Sequence, residues 1–426
     1  MGVIIKKIQT VRKVKASIRL PGSKSITHRA LLMAALAEGA VEILYPLEAE
    51  DTLLTAKALQ ELGVHISWES DRVLVTPPSH RWSQPRKPIF LGNSGTSMRL
   101  LPAVAAAGSG RFIFDGTPRL RERPIAPLVS SLRSLGARIR YLNQDGYPPI
   151  EMEASGLQGG ETTVDARQSS QFVSALLLAS PCAAGDVLVR WEGSAASFPY
   201  ISLTLAVMEE IGIEYRWSSP TSITVPAPQT YPAFQFQVEG DCSSASYFWA
   251  AAALTGGQVH TAPVHPGSAQ GDCRFLDVLE EMGCRVQWEA EGVTVTGTER
   301  LKPVFRDMNA MPDMVPTLAV LAAFAPGTSV IHNVGHLRVK ESDRLHVMAT
   351  ELRKLGVPVE EFPDRLHIEG GAVRPPGAPI EAHNDHRIAM AFAVAGLRAE
   401  GIEIHGAESV SKSFPRFWEI FETLGP

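Results

Sequence analysis

The chain has 426 residues, 45% of them hydrophobic, and carries 40 Lys and Arg against 45 Asp and Glu, a formal net charge of −5. That length suits two domains with large cores. The acidic balance excludes a generic nucleic-acid binder, so any anion site must be a local basic pocket.

In chain order, residues 1–20 come first as two strand-like runs, "VIIKKIQTVRKVKASIRL". They hold no signal-peptide apolar core, and Lys6 stands where a myristoylation signal needs Ser or Thr. A Pro-Gly turn then leads into a helix expected over about 25–37 within "PGSKSITHRALLMAALAEG". Lys24, His28 and Arg29 crowd its first turn. A helix N-terminus already carries about half a positive charge, so cations there call for an anion among them.

From that helix onward one pattern repeats six times. An Ala-rich helix ends at Gly39, Gly110, Gly185, Gly257, Gly327 and Gly401, spaced 70–75 residues apart. A short strand such as "AVEIL" follows. An amphipathic helix comes next, as in "ALQELGV", "DVLEEMGC" and "TELRKLGV", ending at Gly63, Gly136, Gly212, Gly283, Gly356 and Gly425, spaced 69–76 residues apart. Glycine fits as the left-handed residue that closes a helix. Five of these six helices precede a strand-turn-strand pattern, best seen in "VHISWESDRVLVTP" and "CRVQWEAEGVTVTG". Periods of this length signal repeated supersecondary units. The sixth unit ends without its hairpin, and the orphan runs of residues 1–20 are expected to supply the missing strands. The chain therefore divides into residues 21–239 as one domain, and residues 1–20 with 240–426 as the other, three units in each. Gly22 to Gly39 and Gly240 to Gly257 are both 17 residues, which makes "PGSKS" and "EGDCS" equivalent.

The unusual polar clusters nearly all fall at the start of the Ala-rich helices: "PGSKSITHR", "LGNSGTSMR", "DARQSSQF", "GDCSSAS", "MPDMVP" and "HNDHRIAM". If equivalent helices point the same way, their N-termini converge, and an anion is expected between the two domains. Arg29, Arg99, Arg123, Arg344, Arg387, Lys24, Lys340 and Lys412 are candidate donors, enough for several anionic groups. Asp313, Glu341 and Asp343 are acids suited to proton transfer beside them. Taken alone, each cluster reads as helix capping or a solvated charge run. A P-loop is excluded, because the two further glycines it requires are missing. His383 and His386 have a metal-ligand spacing without a third ligand nearby, so a metal is not expected. Cys182, Cys242, Cys273 and Cys284 form no CxxC motif, and reduced thiols in a cytosol are expected. The longest apolar stretches, such as "MVPTLAVLAAFAPG", hold proline and fall short of the roughly 20 residues a bilayer span requires.

In order, "LPGSKSITHRALLMAALAEG", "LGNSGTSMRLL", "RERPI", "SSQFVSALLLA", "EGDCSSASYFWAAAAL", "MPDMVPTLAVLAAFA", "RVKESDR", "NDHRIAMAFA" and "SVSKSFP" resemble the motif set of the 5-enolpyruvylshikimate-3-phosphate synthase family, across residues 8–426. The resemblance implies a two-domain inside-out α/β barrel of six βαβαββ units, with pseudo-threefold symmetry in each domain. It implies transfer of the enolpyruvyl (carboxyvinyl) group of phosphoenolpyruvate to the 5-hydroxyl of shikimate 3-phosphate, with release of phosphate, in the shikimate pathway of aromatic amino acid biosynthesis. No metal or organic cofactor takes part. By the same resemblance, Lys24, Ser25, Arg29, Ser169, Ser170, Gln171, Ser197, Tyr200, Asp313 and Lys340 meet shikimate 3-phosphate. Lys24, Gly95, Arg123, Gln171, Arg344, Arg387 and Lys412 meet phosphoenolpyruvate. Lys24, Asp313 and Glu341 are the candidate catalytic residues. Glyphosate is an expected inhibitor, and a cytoplasmic monomer, with no nucleic-acid or membrane partner, is the expected form. Two positions depart from relatives: His336 stands where many have Asn, and Leu100 where some have Pro. Two alternatives remain: the sister UDP-N-acetylglucosamine enolpyruvyl transferase, and a non-catalytic repeat scaffold that binds anions. Against the first stand Ser25 after Lys24 and the lack of a cysteine before Cys182. Against the second stand the intact acids and bases.

Overall fold

The computed structural model describes residues 3–78, 82–371, 373 and 377–425, and one supersecondary unit recurs through them. Residues 89–155 show it clearly. The short strand Ile89–Phe90 lies parallel to Ser109–Asp115, and the buried helix Gly95–Ala106 crosses between them. Parallel neighbours need such a crossover, because a tight turn cannot join them. The helix Ala126–Ser134 follows. A hairpin, Arg138–Tyr141 and Ile150–Ser155, then returns antiparallel against Ser109–Asp115. The spatial order is therefore first, second, fourth, third strand. Three further four-stranded sheets keep that order, in a fourth the late strand Gln235–Gln237 takes the first strand's place, and a sixth sheet has three strands.

The chain divides into two compact units, Gly22–Val238, and Met1–Pro21 with Glu239–Pro426. Each holds three of the sheets. The two N-terminal runs go to different sheets of the second unit. Ile5–Lys7 pairs antiparallel with Glu403–His405 in the three-stranded sheet. Lys15–Arg19 instead pairs parallel with Gln258–Ala262, as the first strand of the fourth unit. Conversely, Gln235–Gln237, which precedes the fourth buried helix in sequence, pairs parallel with Val41–Leu44 in Gly22–Val238.

Within each unit, three Ala-rich helices pack on one another and the sheets lie outside them. These are Lys24–Ala35, Gly95–Ala106 and Gln171–Ala179 in one, and Cys242–Thr255, Val315–Phe324 and His386–Gly396 in the other. Every residue of Cys242–Thr255 is buried. A helix apolar on all sides is stable only in such an interior. The amphipathic helices bury one face, as Arg344–Lys354 does through Leu345, Met348 and Leu352. Glycines at five of the six amphipathic-helix ends take positive φ, between 77° and 104°. Gly257 has another reason: a Cβ there would run into the backbone of Val14.

The cysteines correct the sequence expectation in part. Cys242 and Cys273 form a disulfide bridge across a Cα–Cα distance of 5.2 Å. Cys182 and Cys284 are free thiols, and burial pushes both up to about 11, so they stay protonated and inert. No helix among the described residues is long and apolar enough to cross a membrane.

Candidate active site

In Gly22–Val238 the three buried helices bring their first turns together. Gln171 Nε2 donates to Thr96 Oγ1 at 3.0 Å, and Arg29 Nη2 donates to Ser174 Oγ at 3.3 Å. His28 Nδ1 lies 2.9 Å from Thr55 Oγ1, which lies 2.7 Å from Ser97 Oγ. Unsatisfied helix N–H groups and their dipoles thus meet at one end of the unit. Ser94 caps the second helix by accepting from Ser97 N.

The cations here differ in what holds them. Lys24 Nζ meets Asp51 Oδ2 at 3.2 Å, in the first turn of Glu50–Glu61. Arg29 is buried, and its guanidinium donates to Thr204 Oγ1, the Ser25 carbonyl, Ser174 Oγ and the Tyr200 carbonyl. These partners are neutral, and burial pushes its pKa down to about 10. Arg29 still carries its charge at neutral pH. It supplies positive field and ties three helices together through these four bonds. Arg123 Nη1 donates to the Asn93 carbonyl at 3.2 Å. Gly95 lies directly under that guanidinium: a Cβ built there would strike Arg123.

Arg99 organises the third helix start. Its Nη1 donates to Ser169 Oγ at 3.3 Å and Gln171 Oε1 at 3.0 Å, and its guanidinium covers the Phe172 ring. Ser170 N donates to the Ala196 carbonyl, so "SSQ" and the segment holding Ser197 and Tyr200 are backbone neighbours. Leu100 is fully buried within its helix, which accommodates Pro102 two positions on.

The second unit builds an ion-pair network around Arg344, which is 1% exposed. Its Nε and Nη2 bind Asp385 at 2.7 and 3.1 Å. Its Nη1 binds Asp313 at 2.9 Å, and its Nη2 binds Glu341 at 2.9 Å. Asp313 also accepts from Arg387 Nη2 at 2.6 Å. Burial alone pulls the Arg344 pKa down; Asp385, Glu341 and Asp313 outweigh it and raise it above the ordinary arginine value. Arg387 Nη1 reaches Tyr247 OH at 3.4 Å, and burial pushes that phenol up to about 12. Asp272 accepts a short hydrogen bond from Ser243. Burial, then repulsion from Asp313, pushes its carboxyl up to about 6, against the pull of Arg387. Lys340 follows the short helix Gly335–Val339 that carries His336, and Lys412 is buried at the end of Ala407–Lys412.

One residue turns out otherwise than the sequence suggests. Asp343 caps Arg344–Lys354 by accepting from His346 N, and pairs with Arg338, whereas Asp313 and Glu341 pair with Arg344. His383 pairs with Glu351 at 3.2 Å, and His386 is fully buried beside Asp385. The sequence argument missed Asp51 and Asp385. Asp385 had a signal, since it is the N-cap residue of "DHRIAM", accepting from Arg387 N. Asp51, after Glu50, reads only as an acid suited to a helix start.

A profile of the family described as EPSP synthase (3-phosphoshikimate 1-carboxyvinyltransferase) matches residues 8–421. The chain is 59% identical over 419 residues to the 3-phosphoshikimate 1-carboxyvinyltransferase of Syntrophobacter fumaroxidans, covering 98% of this chain and 99% of that one. It is 44% identical to that of Sulfurovum sp., covering 98% of each. The EPSP synthase structure from Acinetobacter baumannii superposes with a TM-score of 0.80 at 30% identity, covering 99% and 98% of the two chains. The enolpyruvyl transferase NikO from Streptomyces tendae shares the fold, with a TM-score of 0.80 at 19% identity over 99% and 97%. By profile, sequence identity and fold together, the chain belongs to the EPSP synthase family of 3-phosphoshikimate 1-carboxyvinyltransferases.

Proposed function

We propose that the two basic clusters serve one enolpyruvyl transfer, with the residues of each taking the roles the family resemblance gives them. The enzyme joins the 5-hydroxyl of shikimate 3-phosphate to C2 of phosphoenolpyruvate and releases phosphate. Lys24, Ser25, Arg29, Ser169, Ser170, Gln171, Ser197 and Tyr200 take shikimate 3-phosphate, with Asp313 and Lys340 at its hydroxyls. Lys24, Gly95, Arg123, Gln171, Arg344, Arg387 and Lys412 take phosphoenolpyruvate. Glyphosate competes at that second set, and the enzyme works as a cytoplasmic monomer.

The observation that carries this reading is Asp313, a partly exposed carboxylate shared by two buried arginines, with Glu341 on the same Arg344. A carboxylate so placed can accept the proton of an attacking hydroxyl. The chemistry needs proton traffic in both directions. As the hydroxyl oxygen bonds to C2, C3 gains a proton and becomes a methyl group. The tetrahedral adduct then loses phosphate from C2 and one methyl proton, which restores the double bond. Glu341 and Lys24 are assigned the C3 proton, and Asp313 the hydroxyl proton. The cations stabilise charge on the leaving phosphate.

Turnover in D2O tests the scheme. A methyl stage exchanges C3 protons with solvent, so recovered phosphoenolpyruvate and product should both carry vinyl deuterium. Exchange should slow in Glu341→Gln. Product free of vinyl deuterium after many turnovers would overturn the addition–elimination roles.

A further inference from the structure

Two consecutive residues before the helix Pro199–Glu210 are held in costly backbone conformations. Ser197 has φ of 60°, in the left-handed region that a non-glycine residue seldom occupies. Phe198 has φ −46° and ψ −38°, helical angles that the ring of a following proline disfavours, and Pro199 follows. Strain of this kind persists only where the surroundings over-determine it.

The surroundings are aromatic. Trp191 lies in the strand Val187–Glu192, and Trp217 in the strand Arg216–Ser219. Phe198 lies 6.4 Å from each, centroid to centroid, and the two indoles are 6.0 Å apart and near edge-on. Such spacings are those of attractive ring pairs. Trp191 is buried, yet Phe198 and Trp217 are 37% and 46% exposed. The trio is not core filling. It grips one side of a segment whose other side is hydrogen-bonded: Ala196 N to the Ala166 carbonyl, and Ser170 N to the Ala196 carbonyl. Ser197 lies between the grip and the hydrogen bonds, and it is buried.

We propose that Phe198 and Trp217 are positioning residues for shikimate 3-phosphate. Their rings hold Ser197 in its left-handed conformation beside Ser170, so that its hydroxyl is set for the substrate before binding. The proposal rests on the reading of Ser197 as a ligand of that substrate. A preset hydroxyl costs no ordering on binding; one that relaxes to an ordinary conformation must be reset each time.

Steady-state kinetics of the full enzyme test it. Phe198→Ala and Trp217→Ala should each raise KM for shikimate 3-phosphate by roughly three- to tenfold, the worth of one aromatic pair. KM for phosphoenolpyruvate should stay within about twofold, a split that a general loss of structure would not give. Trp217→Phe, which keeps a ring, should restore most of the loss. Phe198→Leu, which keeps an apolar side chain without a ring, should not. Ser197→Gly separates the proposal from the reading beneath it, because glycine accepts the backbone conformation and lacks the hydroxyl. Alone it should raise the same KM, and in that background Phe198→Ala should add nothing further. If Ser197→Gly leaves KM unchanged, Ser197 is not a ligand and both claims fall. If Ser197→Gly raises KM but Phe198→Ala does not, or Phe198→Ala has its full effect in the glycine background, the positioning role is overturned.

Discussion

Lys24 is the residue on which most of the account turns. One charge-assisted hydrogen bond is worth about 1.5–3 kcal/mol, and Lys24 is assigned to two anions. Lys24→Ala should therefore lower kcat/KM by a factor on the order of a thousand while circular dichroism shows a folded chain; near-normal turnover would sink the assignment. Gly95 makes a sharper case than its sequence context allowed. Its neighbour is the Arg123 guanidinium, which a Cβ would displace. Gly95→Ala should raise KM for phosphoenolpyruvate and weaken glyphosate, the longer anion, by a larger factor, read as Ki at several phosphoenolpyruvate concentrations. Equal sensitivity in the mutant would contradict the placement. Asp272 carries a pH signature. Its pKa lies near 6 in the fold against 3.8 ordinarily, raised by burial and by Asp313. The folded chain thus holds this proton more tightly than the unfolded chain. The resulting penalty on stability is absent below about pH 4, grows up to about pH 6 and is complete above it. Asp272→Asn removes it, so unfolding free energy at pH 7.5 should rise by something on the order of 2 kcal/mol, with no gain at pH 4. Denaturant melts at both pH values read this directly. Lys24, Arg344 and Arg387 were legible because cations at helix starts are electrostatically out of place. Asp51 was not, because an acid at a helix start is ordinary and its lysine partner lies on another element; Asp385 showed only its capping role, with no trace of Arg344.

Among the elements, the helix starts do most to shape the site. Asp385 caps His386–Gly396 and also binds Arg344 through two bonds, so one buried carboxylate fixes both a helix and the cation that Asp313 and Glu341 share. Asp385→Ala leaves Arg344 buried with less counter-charge and should cost about 3–5 kcal/mol, the range for breaking a buried ion pair. Turnover should fall beyond what the stability loss explains, because Arg344 then no longer presents Glu341 and Asp313 in register. A fully active, equally stable variant would contradict that coupling. The Ala-rich helices were legible in sequence by composition, and the amphipathic ones by their closing glycines, which adopt the expected left-handed geometry at Gly63, Gly136, Gly212, Gly283 and Gly356. Strand partners were harder to read. Nothing in "KASIR" distinguishes pairing with Gln258–Ala262 from pairing with Glu403–His405, because parallel register over a long sequence gap leaves no local trace. The Cys242–Cys273 bridge was equally invisible, since the two residues are 31 apart with no motif between them.

At the scale of the whole molecule, six repeats were readable because each carries its own turn, cap and hydrophobic period. What the repeat cannot encode is the charge network, since the helix caps differ between the units: serine at Ser23, Ser94 and Ser170 in one, but Asp241, Met314 and Asp385 in the other. The roles assigned to shikimate 3-phosphate draw on residues of both units. The central claim is that these clusters perform enolpyruvyl transfer to shikimate 3-phosphate. Phosphate release on mixing the enzyme with phosphoenolpyruvate and shikimate 3-phosphate tests it most directly, with UDP-N-acetylglucosamine as the competing acceptor. The account predicts stoichiometric phosphate and an enolpyruvyl ether at the 5-hydroxyl with shikimate 3-phosphate, and background release with the UDP-sugar. Background release with shikimate 3-phosphate, or turnover that prefers the UDP-sugar, would contradict it.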